Sequence, residues 1–575
     1  MTMKKTLRIL TAMVLTVFMV MSVSMTAFAA DTYSITMKRA PKDRAAHTYE
    51  AYQVFKGDIS DGKMINITWG EGVNGADLLD ALKDDEYADH AAFAGCNSAA
   101  DVAAVLAQDA EPDNDVAKNF AAIVNDYLVA AKKKTGTIAK GGTDNSTAVI
   151  SGLGSGYYFV KDGADPTLDG EENSNYTRYI LKVVENVSVT AKAEIPTLDK
   201  KIVDGNTEKN ANSVSIGDTV NFRITTAVPA KANEYKDHYQ FIINDKLCEG
   251  LTFDPTSVKV YIGTSTTAAE ASNYEVLTGN DAAPYTFRVV LKNAKTHAGK
   301  AVKVEYGAVL NEKAKITDDG NENTANLTYS NDPNYTYDGD KPEGGDPTGV
   351  TPEVQTLTYT TGLRLLKVDG ETGDELKGAK FTISGNGVSA VMVNGEIFKE
   401  DENGTYYMLK GGSFTTEEPE SATDERYDDT SKKYSKINVV EKNTKNENIN
   451  KSAYTGNNGL ITFVGLGEGT YTITEDIAPE GYNKIAQFTV TISAEFDDAG
   501  VCTWTVKKGS ETLSSSEDGD PLLNLYDLTV ENNQGIVLPG TGGMGTTIFY
   551  VVGGLLIVCA GALLITKIRM GQKDK

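Results

Sequence analysis

Three polar residues of this chain fall on strand faces that should be buried, and together they could form an amide bond. Lys200, Asp245 and Asn331 each share the alternating apolar face of a strand-like stretch, in the sequences TLDKKI, YQFIIND and NLTYSN. Because side chains alternate between the two faces of a strand, all three should point toward the core. The pattern therefore predicts one buried lysine, one buried acid and one buried asparagine in the same section of the chain.

The same combination recurs nearer the C-terminus. Lys367, Glu475 and Asn532 share the apolar parity of the stretches LRLLKVD, GTYTITED and LTVEN. An isolated charge on a buried face costs several kcal/mol unless it is paired or neutralised, so two such sets need an explanation.

The chemistry open to each set is an amide bond between the lysine and asparagine side chains. Burial lowers the pKa of a lysine and leaves a nucleophilic neutral amine. Burial also raises the pKa of a carboxyl group, so Asp245 and Glu475 could act as catalytic acids while ammonia leaves. The alternative is an unreactive buried ion pair beside a capping asparagine.

Composition excludes several other functions. The formal net charge of −25 argues against a nucleic-acid partner, because phosphate binding needs clustered lysine and arginine. Four histidines and four cysteines are scattered without a Cys-x-x-Cys pair, so no metal site and no cofactor is predicted. No Gly-x-Ser-x-Gly or His-Glu-x-x-His motif occurs, although a carboxylate-pair glycosidase would leave no local motif.

Both ends of the chain have the pattern of targeting segments. Residues 1–29 combine a basic start, an apolar run and Ala27-Phe28-Ala29, which predicts a secretory signal peptide rather than an N-terminal membrane anchor. Residues 546–566 are apolar and long enough to span a bilayer, and the basic tail 567–575 should stay in the cytoplasm.

A short motif precedes that span: Leu538, Pro539, Gly540, Thr541 and Gly542. By itself this is an exposed, extended segment or a turn. The order of signal peptide, motif, apolar span and basic tail resembles the cell-wall sorting signal of Gram-positive surface proteins. That resemblance implies that a sortase cysteine attacks the Thr541 carbonyl, releases Gly542 onward and holds the chain as a thioester.

Between the ends, the chain divides into three sections at 30–193, 194–345 and 351–535. Short alternating strands with turn residues predict an all-β fold of tandem immunoglobulin-like sandwiches, and Ala-rich stretches around 76–132 add helix to the first section. The Pro/Gly/acid run around 340–347 is typical of a linker. A charged insertion at roughly 415–452 is expected to be a solvent-facing loop or a mobile segment.

Several stretches resemble Gram-positive sortase-assembled shaft pilins. The segment Tyr471–Tyr482 is similar to their E-box, and LRLLKVD, GAKFTI and VENNQG are similar to their collagen-adhesin B-type domain. This resemblance implies a Lys367–Asn532 bond with Glu475 as its acid, and matches Lys200, Asp245 and Asn331 in the preceding domain. A register error of one residue would select Lys201, and Asn326 is a neighbouring candidate for Asn331.

Shaft pilins also present a lysine to sortase at the end of their first domain. The corresponding stretch here ends in Lys192, with Thr-Ala where the family has Tyr-Pro. Strand parity turns Lys192 to solvent, although it could be an ordinary surface lysine. The predicted function is a major pilus subunit, exported and wall-anchored, which sortase joins from Thr541 to Lys192 of the next copy. Its partners would be itself, sortases, ancillary pilins and host ligands. The alternative is a monomeric adhesin or tip pilin.

Overall fold

The computed structural model describes most of the chain between the two predicted targeting ends. The described residues are 32–41, 43–85, 87, 89–108, 115–163, 171–176, 178–191, 195–385, 392–394, 397–410, 414–437, 449–515, 524–535 and 545–571. The predicted signal peptide, Lys192 and the sorting motif 538–542 lie outside these residues. The prediction of tandem β-sandwiches, with α-helices in the first domain and at the C-terminus, is confirmed.

The first domain combines two sheets with a helical cap. Its strands are β1 (Tyr33–Lys38), β2 (His47–Ser60), β3 (Lys63–Trp69), β4 (Lys134–Ile138), β5 (Thr147–Leu153), β6 (Gly156–Asp162), β7 (Glu171–Glu172), β8 (Arg178–Val183) and β9 (Val187–Thr190); its helices are α1 (Gly75–Leu82), α2 (His90–Phe93), α3 (Ala99–Gln108) and α4 (Asp115–Val124). The sheets run β5-β1-β9 and β3-β2-β6-β8, with β4 beside β2. The helices bury Leu78, Phe93 and Phe120 against Phe55 of β2.

A buried ionic cluster holds β2 to β6 in this domain. His47 lies between two carboxylates: its Nδ1 is 2.9 Å from Asp162 Oδ1 and its Nε2 is 2.9 Å from Asp43 Oδ2. Arg39 is buried beside them and donates to the backbone oxygens of Ala45 and Ala139. Burial alone would lower the pKa of His47, but the two carboxylates outweigh it and raise the pKa to about 9. The imidazolium is therefore the stable form at neutral pH.

The second domain is a two-sheet sandwich. Its strands are β10 (Leu198–Asp204), β11 (Thr207–Lys209), β12 (Ala211–Ser213), β13 (Thr219–Ala227), β14 (Phe241–Leu247), β15 (Leu251–Ile262), β16 (Tyr274–Thr278), β17 (Phe287–Leu291), β18 (Ala301–Leu310), β19 (Asn321–Ser330), β20 (Thr348–Val350) and β21 (Val354–Tyr359). One sheet runs β11-β10-β13-β18-β15 and the other β12-β21-β19-β14-β17-β16. Alternating apolar side chains of both sheets form its core, among them Phe222, Ile243 and Leu327.

The boundary after this domain lies later than the linker composition predicts. Strand β21 begins at Val354, inside the predicted third section, yet it pairs antiparallel with β19 and parallel with β12. Its residues Thr356 and Thr358 are buried in the second domain's sheet. The second domain therefore extends to Tyr359, and the third begins at Thr361.

The third domain is a second sandwich with an insertion. Its strands are β22 (Thr361–Asp369), β23 (Lys380–Gly385), β24 (Met392–Asn394), β25 (Ile397–Glu400), β26 (Tyr407–Met408), β27 (Phe414–Thr415), β28 (Tyr434–Ile437), β29 (Ile449–Tyr454), β30 (Leu460–Leu466), β31 (Gly469–Ile477), β32 (Phe488–Phe496), β33 (Cys502–Lys508), β34 (Glu511–Thr512) and β35 (Leu525–Asn532). The sheets run β24-β30-β22-β35 and β29-β23-β31-β32-β33-β34. The first strand, β22, and the last, β35, are parallel neighbours.

Two short ribbons lie before and within the charged insertion predicted at 415–452. The described residues of 397–437 form two ribbons, β25 with β28 and β26 with β27. Aromatic rings fasten them: Phe398 stacks on Phe414 at 4.0 Å, and Phe414 meets Tyr434 and Tyr454 edge-on. Within the expected insertion 415–452, the described residues 416–433 form no strand and are mostly exposed.

A single long helix follows the third domain within the described residues. Helix α5 covers Gly545–Gly571 and contains a stretch, Ile548–Met570, long and apolar enough to cross a membrane. Its side chains make no core with the rest of the protein. The predicted span at 546–566 lies inside this helix.

Candidate functional site

The second domain brings a lysine, an acid and an asparagine together between its two sheets. Lys200 comes from β10 in one sheet, while Asp245 of β14 and Asn323 of β19 come from the opposing sheet. All three are buried, with 1% or less of each exposed. The site therefore lies in the middle of the sandwich, and a bond between Lys200 and Asn323 would join its sheets.

Hydrogen bonds align the three side chains closely. Lys200 Nζ donates to Asp245 Oδ2 at 2.5 Å and to Asn323 Oδ1 at 2.6 Å, with a longer contact to the Thr324 carbonyl at 3.3 Å. The amine thus touches both the acid that can take its proton and the amide it could attack.

Aromatic side chains enclose this cluster. The amine of Lys200 lies 5.6 Å from the ring centres of both Phe222 and Tyr306. The Tyr306 hydroxyl donates to Asp245 Oδ2 at 2.6 Å and accepts a hydrogen bond from Asn323 Nδ2 at 2.9 Å. This dry environment favours the neutral forms of the groups inside it.

The electrostatics make transfer of a proton from lysine to acid less costly. Burial lowers the pKa of Lys200 to about 8, although the charge of Asp245 opposes this change. Burial raises the pKa of Asp245, against the opposing effects of Lys200 and of the Tyr306 hydroxyl. Both shifts reduce the cost of moving the proton from the ammonium to the carboxylate.

The prediction of Asn331 as the third member is wrong in its position along the strand. The Asn331 side chain donates from Nδ2 to Ser174 Oγ of the first domain at 2.9 Å. Asp245 pairs with Ala325, so Asn331 lies six residues farther along, roughly 20 Å at ~3.3 Å per residue. Asn323 and Asn331 have the same parity because their positions differ by eight, an even number.

The two register alternatives lie on other faces. Lys201 Nζ donates to Asn210 Oδ1 at 2.8 Å and is partly exposed. Asn326 accepts from Asn244 Nδ2 at 2.8 Å on the side of its sheet away from Lys200. Within the described residues, Lys200 and not Lys201 belongs to the buried cluster.

The third domain gathers Lys367, Glu475 and Asn532, all completely buried. Lys367 is on β22 and Asn532 on the adjacent parallel strand β35, whereas Glu475 comes from β31 of the opposing sheet. In the strand register Lys367 faces Val530 and Asp369 faces Asn532. A bond between Lys367 and Asn532 would thus join the domain's first and last strands within one sheet.

Glu475 fixes the asparagine directly in this site. Glu475 Oε1 accepts from Asn532 Nδ2 at 2.9 Å, and its Oε2 accepts from the backbone nitrogen of Ile485 at 2.8 Å. Lys367 Nζ donates to the carbonyls of Val368 and Val530 at 2.9 and 3.0 Å. Burial lowers the pKa of Lys367 to about 8, against the opposing charge of Glu475. Two backbone carbonyls thus hold the amine of Lys367, and Glu475 holds the side-chain amide of Asn532.

Comparison with known proteins finds one matching family model and several similar chains. The SpaA prealbumin-like fold domain matches residues 425–508. A relative in Streptococcus pyogenes serotype M6, the trypsin-resistant surface T6 protein, is 24% identical over 410 residues, covering 66% of this chain and 70% of the relative. The chain is therefore similar in sequence to a streptococcal surface protein across about two thirds of its length.

Solved backbone pilins are also similar to this chain. The T6 backbone pilin of serotype M6 Streptococcus pyogenes is 16% identical, with a TM-score of 0.48 over 89% of this chain and 100% of the pilin. The major pilin SpaD of Corynebacterium diphtheriae is 17% identical, with a TM-score of 0.42 over 88% of this chain and 98% of the pilin.

Sequence reasoning missed two residues of the second-domain site. Asn323 is the third residue of β19 and lies in a run of polar residues, DDGNENTAN, which looks like a turn. Tyr306 continues the apolar parity of Val302 and Val304 and reads as core packing. A search for every asparagine on the parity of Leu327 would have found Asn323. Lys192 and the motif 538–542 lie outside the described residues, and their roles stay predictions.

Proposed function

We propose that this chain is the repeating subunit of a covalent surface pilus, strengthened by one internal lysine–asparagine amide bond in each of its last two domains. The observation that carries this proposal is the buried contact of Lys200 with both Asp245 and Asn323. An unreactive ion pair needs no asparagine carbonyl on the amine, whereas amide formation does.

The chemistry in the second domain balances without any added reagent. Lys200 passes a proton to Asp245 and becomes a neutral amine, which attacks Cγ of Asn323. A bond forms between Nζ and Cγ, the bond between Cγ and Nδ2 breaks, and ammonia leaves. In the third domain Lys367 attacks Asn532 in the same way, and Glu475 is the acid.

Assembly between subunits would use Lys192, at the end of the first domain, and the sorting motif 538–542, after the third. A sortase cysteine would cleave after Thr541, and the amine of Lys192 on the next subunit would then accept the acyl group. Helix α5 would hold the precursor in the membrane until that cleavage. The product is a homopolymer attached to the cell wall.

Two measurements test this proposal. Intact-mass spectrometry of the exported chain should show the loss of two ammonia molecules, and Glu475→Ala should restore one of them. Immunoblots of wall extracts should show a high-mass ladder beside the native sortase, which Lys192→Ala abolishes while Lys182→Ala leaves it in place. An unchanged mass would refute the internal bonds. A parent protein without a ladder would make it a monomeric adhesin instead.

The T6 relative is described as trypsin-resistant. Cross-linked domains resist proteolysis because a closed loop restricts the unfolded chain. We therefore expect the second and third domains to survive trypsin when both bonds are present.

A further inference from the structure

The second-domain site contains a fourth residue, Tyr306, to which the proposed reaction of the lysine, the acid and the asparagine gives no role. Tyr306 lies on β18, directly opposite Phe222 of β13, and its side chain crosses the core to the facing sheet. Its hydroxyl bridges Asp245 Oδ2 and Asn323 Nδ2 at 2.6 and 2.9 Å. Nδ2 is the atom that must leave as ammonia in the proposed reaction.

We propose that the Tyr306 hydroxyl relays the proton that converts the leaving nitrogen of Asn323 into ammonia. This inference rests on the proposed cross-link in the second domain. Lys200 Nζ and the Tyr306 hydroxyl both contact the same carboxylate oxygen, Oδ2 of Asp245. Hydrogen bonds therefore link Lys200 Nζ to Asp245, Asp245 to the Tyr306 hydroxyl and that hydroxyl to Asn323 Nδ2. The contact of Nζ with Asn323 Oδ1 closes the ring through Cγ.

The proton count around this ring is balanced. When neutral Lys200 attacks Cγ, Nζ gains a positive charge and Nδ2, no longer part of an amide, can accept a proton. Protonated Asp245 gives its proton to the Tyr306 oxygen while the Tyr306 hydroxyl proton goes to Nδ2, which reverses both hydrogen bonds of the resting structure. Asp245 takes one proton from Nζ in return. The bond between Cγ and Nδ2 then breaks, ammonia departs, and both Asp245 and Tyr306 return to their starting protonation states.

Burial keeps this tyrosine a proton donor and not an anion. Desolvation and the neighbouring Asp245 raise the pKa of Tyr306 well above its ordinary value. The third domain solves the same problem differently, because Asn532 Nδ2 there contacts Glu475 itself. That domain is thus a built-in reference, in which the loss of ammonia needs no tyrosine hydroxyl.

The test follows bond formation over time in the full chain. Newly synthesised protein is pulse-labelled, sampled at intervals, denatured and digested, and the peptide joining Lys200 to Asn323 is quantified by mass spectrometry. Tyr306→Phe should slow this bond about 100-fold, as loss of a general acid does. The Lys367–Asn532 bond in the same molecules should form at its normal rate.

The matched control is Tyr235→Phe, which removes another buried hydroxyl from the same core, one that donates to the Ser330 carbonyl. It should leave the rate unchanged. A difluorinated tyrosine at position 306 keeps both hydrogen bonds but is more acidic, so it should shorten the half-time several-fold.

Three results would overturn the relay. These are a normal rate in Tyr306→Phe, an equal slowing in Tyr235→Phe, and a fluorinated residue with the parent's half-time. A parent chain without the Lys200–Asn323 peptide would refute the second-domain cross-link itself, and the relay with it.

Discussion

The two lysine–acid–asparagine sites use the same groups in different places within a sandwich. In the third domain Lys367 and Asn532 lie on neighbouring parallel strands of one sheet, and the acid reaches across from the other. In the second domain Lys200 faces Asn323 across the core, and the acid, Asp245, is on the strand beside the asparagine. One bond would fasten a sheet to itself, and the other would fasten two sheets together.

This difference explains why the two leaving nitrogens have different partners. Glu475 approaches Asn532 from the opposite sheet and accepts a hydrogen bond directly from Nδ2. Asp245 is on a strand adjacent to that of Asn323 and turns its Oδ2 to the amine, so a third residue, Tyr306, spans the remaining gap. The same reaction can therefore be supported by two geometries, provided that an acid is linked to the leaving nitrogen.

The largest expected effect is on formation of the second-domain bond, and it distinguishes Asn323 in β19 from Asn331 just after that strand. Asn323→Ala should abolish the second-domain bond and leave the third-domain bond intact, so its intact mass should fall short of the unreacted sequence by one ammonia instead of two. Asn331→Ala should leave both bonds in place, because its side chain contacts Ser174 instead. Loss of the bond in Asn331→Ala, with retention in Asn323→Ala, would contradict the geometry described above.

The next effect concerns stability in both domains. Lys367→Ala should lower the free energy of unfolding of the third domain by about 5 kcal/mol, because a closed loop of more than a hundred residues restricts the unfolded chain. Lys200→Ala should cost the second domain nearly as much, since loop-closure entropy changes slowly with length. Thermal unfolding and trypsin digestion measure both.

The control for this comparison is Lys377→Ala, on an exposed loop of the third domain. It should leave the melting temperature almost unchanged. If Lys200→Ala were far more damaging than Lys367→Ala, the bond between sheets would stabilise the native state beyond its effect on the unfolded chain.

The smallest effect concerns the first domain, where none of the lysines whose side chains the structure describes is buried. Because folding raises the pKa of His47 from 6.5 to about 9, its ion pairs stabilise the domain fully below pH 6.5. That contribution, about 3 kcal/mol, should disappear as the pH rises through about 9. Calorimetry across this range should show the decline in the parent and a flatter profile in His47→Gln. His238→Gln, in the second domain, should keep the parent's profile.

Sequence parity predicted the faces of the site residues but not their partners. Lys200, Asp245, Lys367, Glu475 and Asn532 all lie on the buried faces that their apolar neighbours indicate. Parity repeats every two residues, so it cannot decide between asparagines an even distance apart. Only the pairing of β14 with β19 sets that position.

The rest of the fold shows the same limit. The boundary at Tyr359 depends on the pairing of β21 with β19 and β12, strands far apart in sequence. The ribbons at 397–437 depend on aromatic contacts between residues separated by many charges. In both cases long-range contacts decide the structure, and local composition does not show them.

The position of Asn323 has a mechanical consequence for a pulled fibre. If load enters each subunit at Lys192, the first domain carries none of it, and the bond between Lys200 and Asn323 bypasses most of the second. The load then runs through the chain from Thr324 to Thr360, including β21, which pairs with β19 and β12 in its sheet. Once unpaired, this stretch could extend to roughly 120 Å at ~3.4 Å per residue. The third domain offers no such reserve, because its bond joins β22 to β35, so the extension of the shaft would come mainly from residues 324–360, between the two bonds.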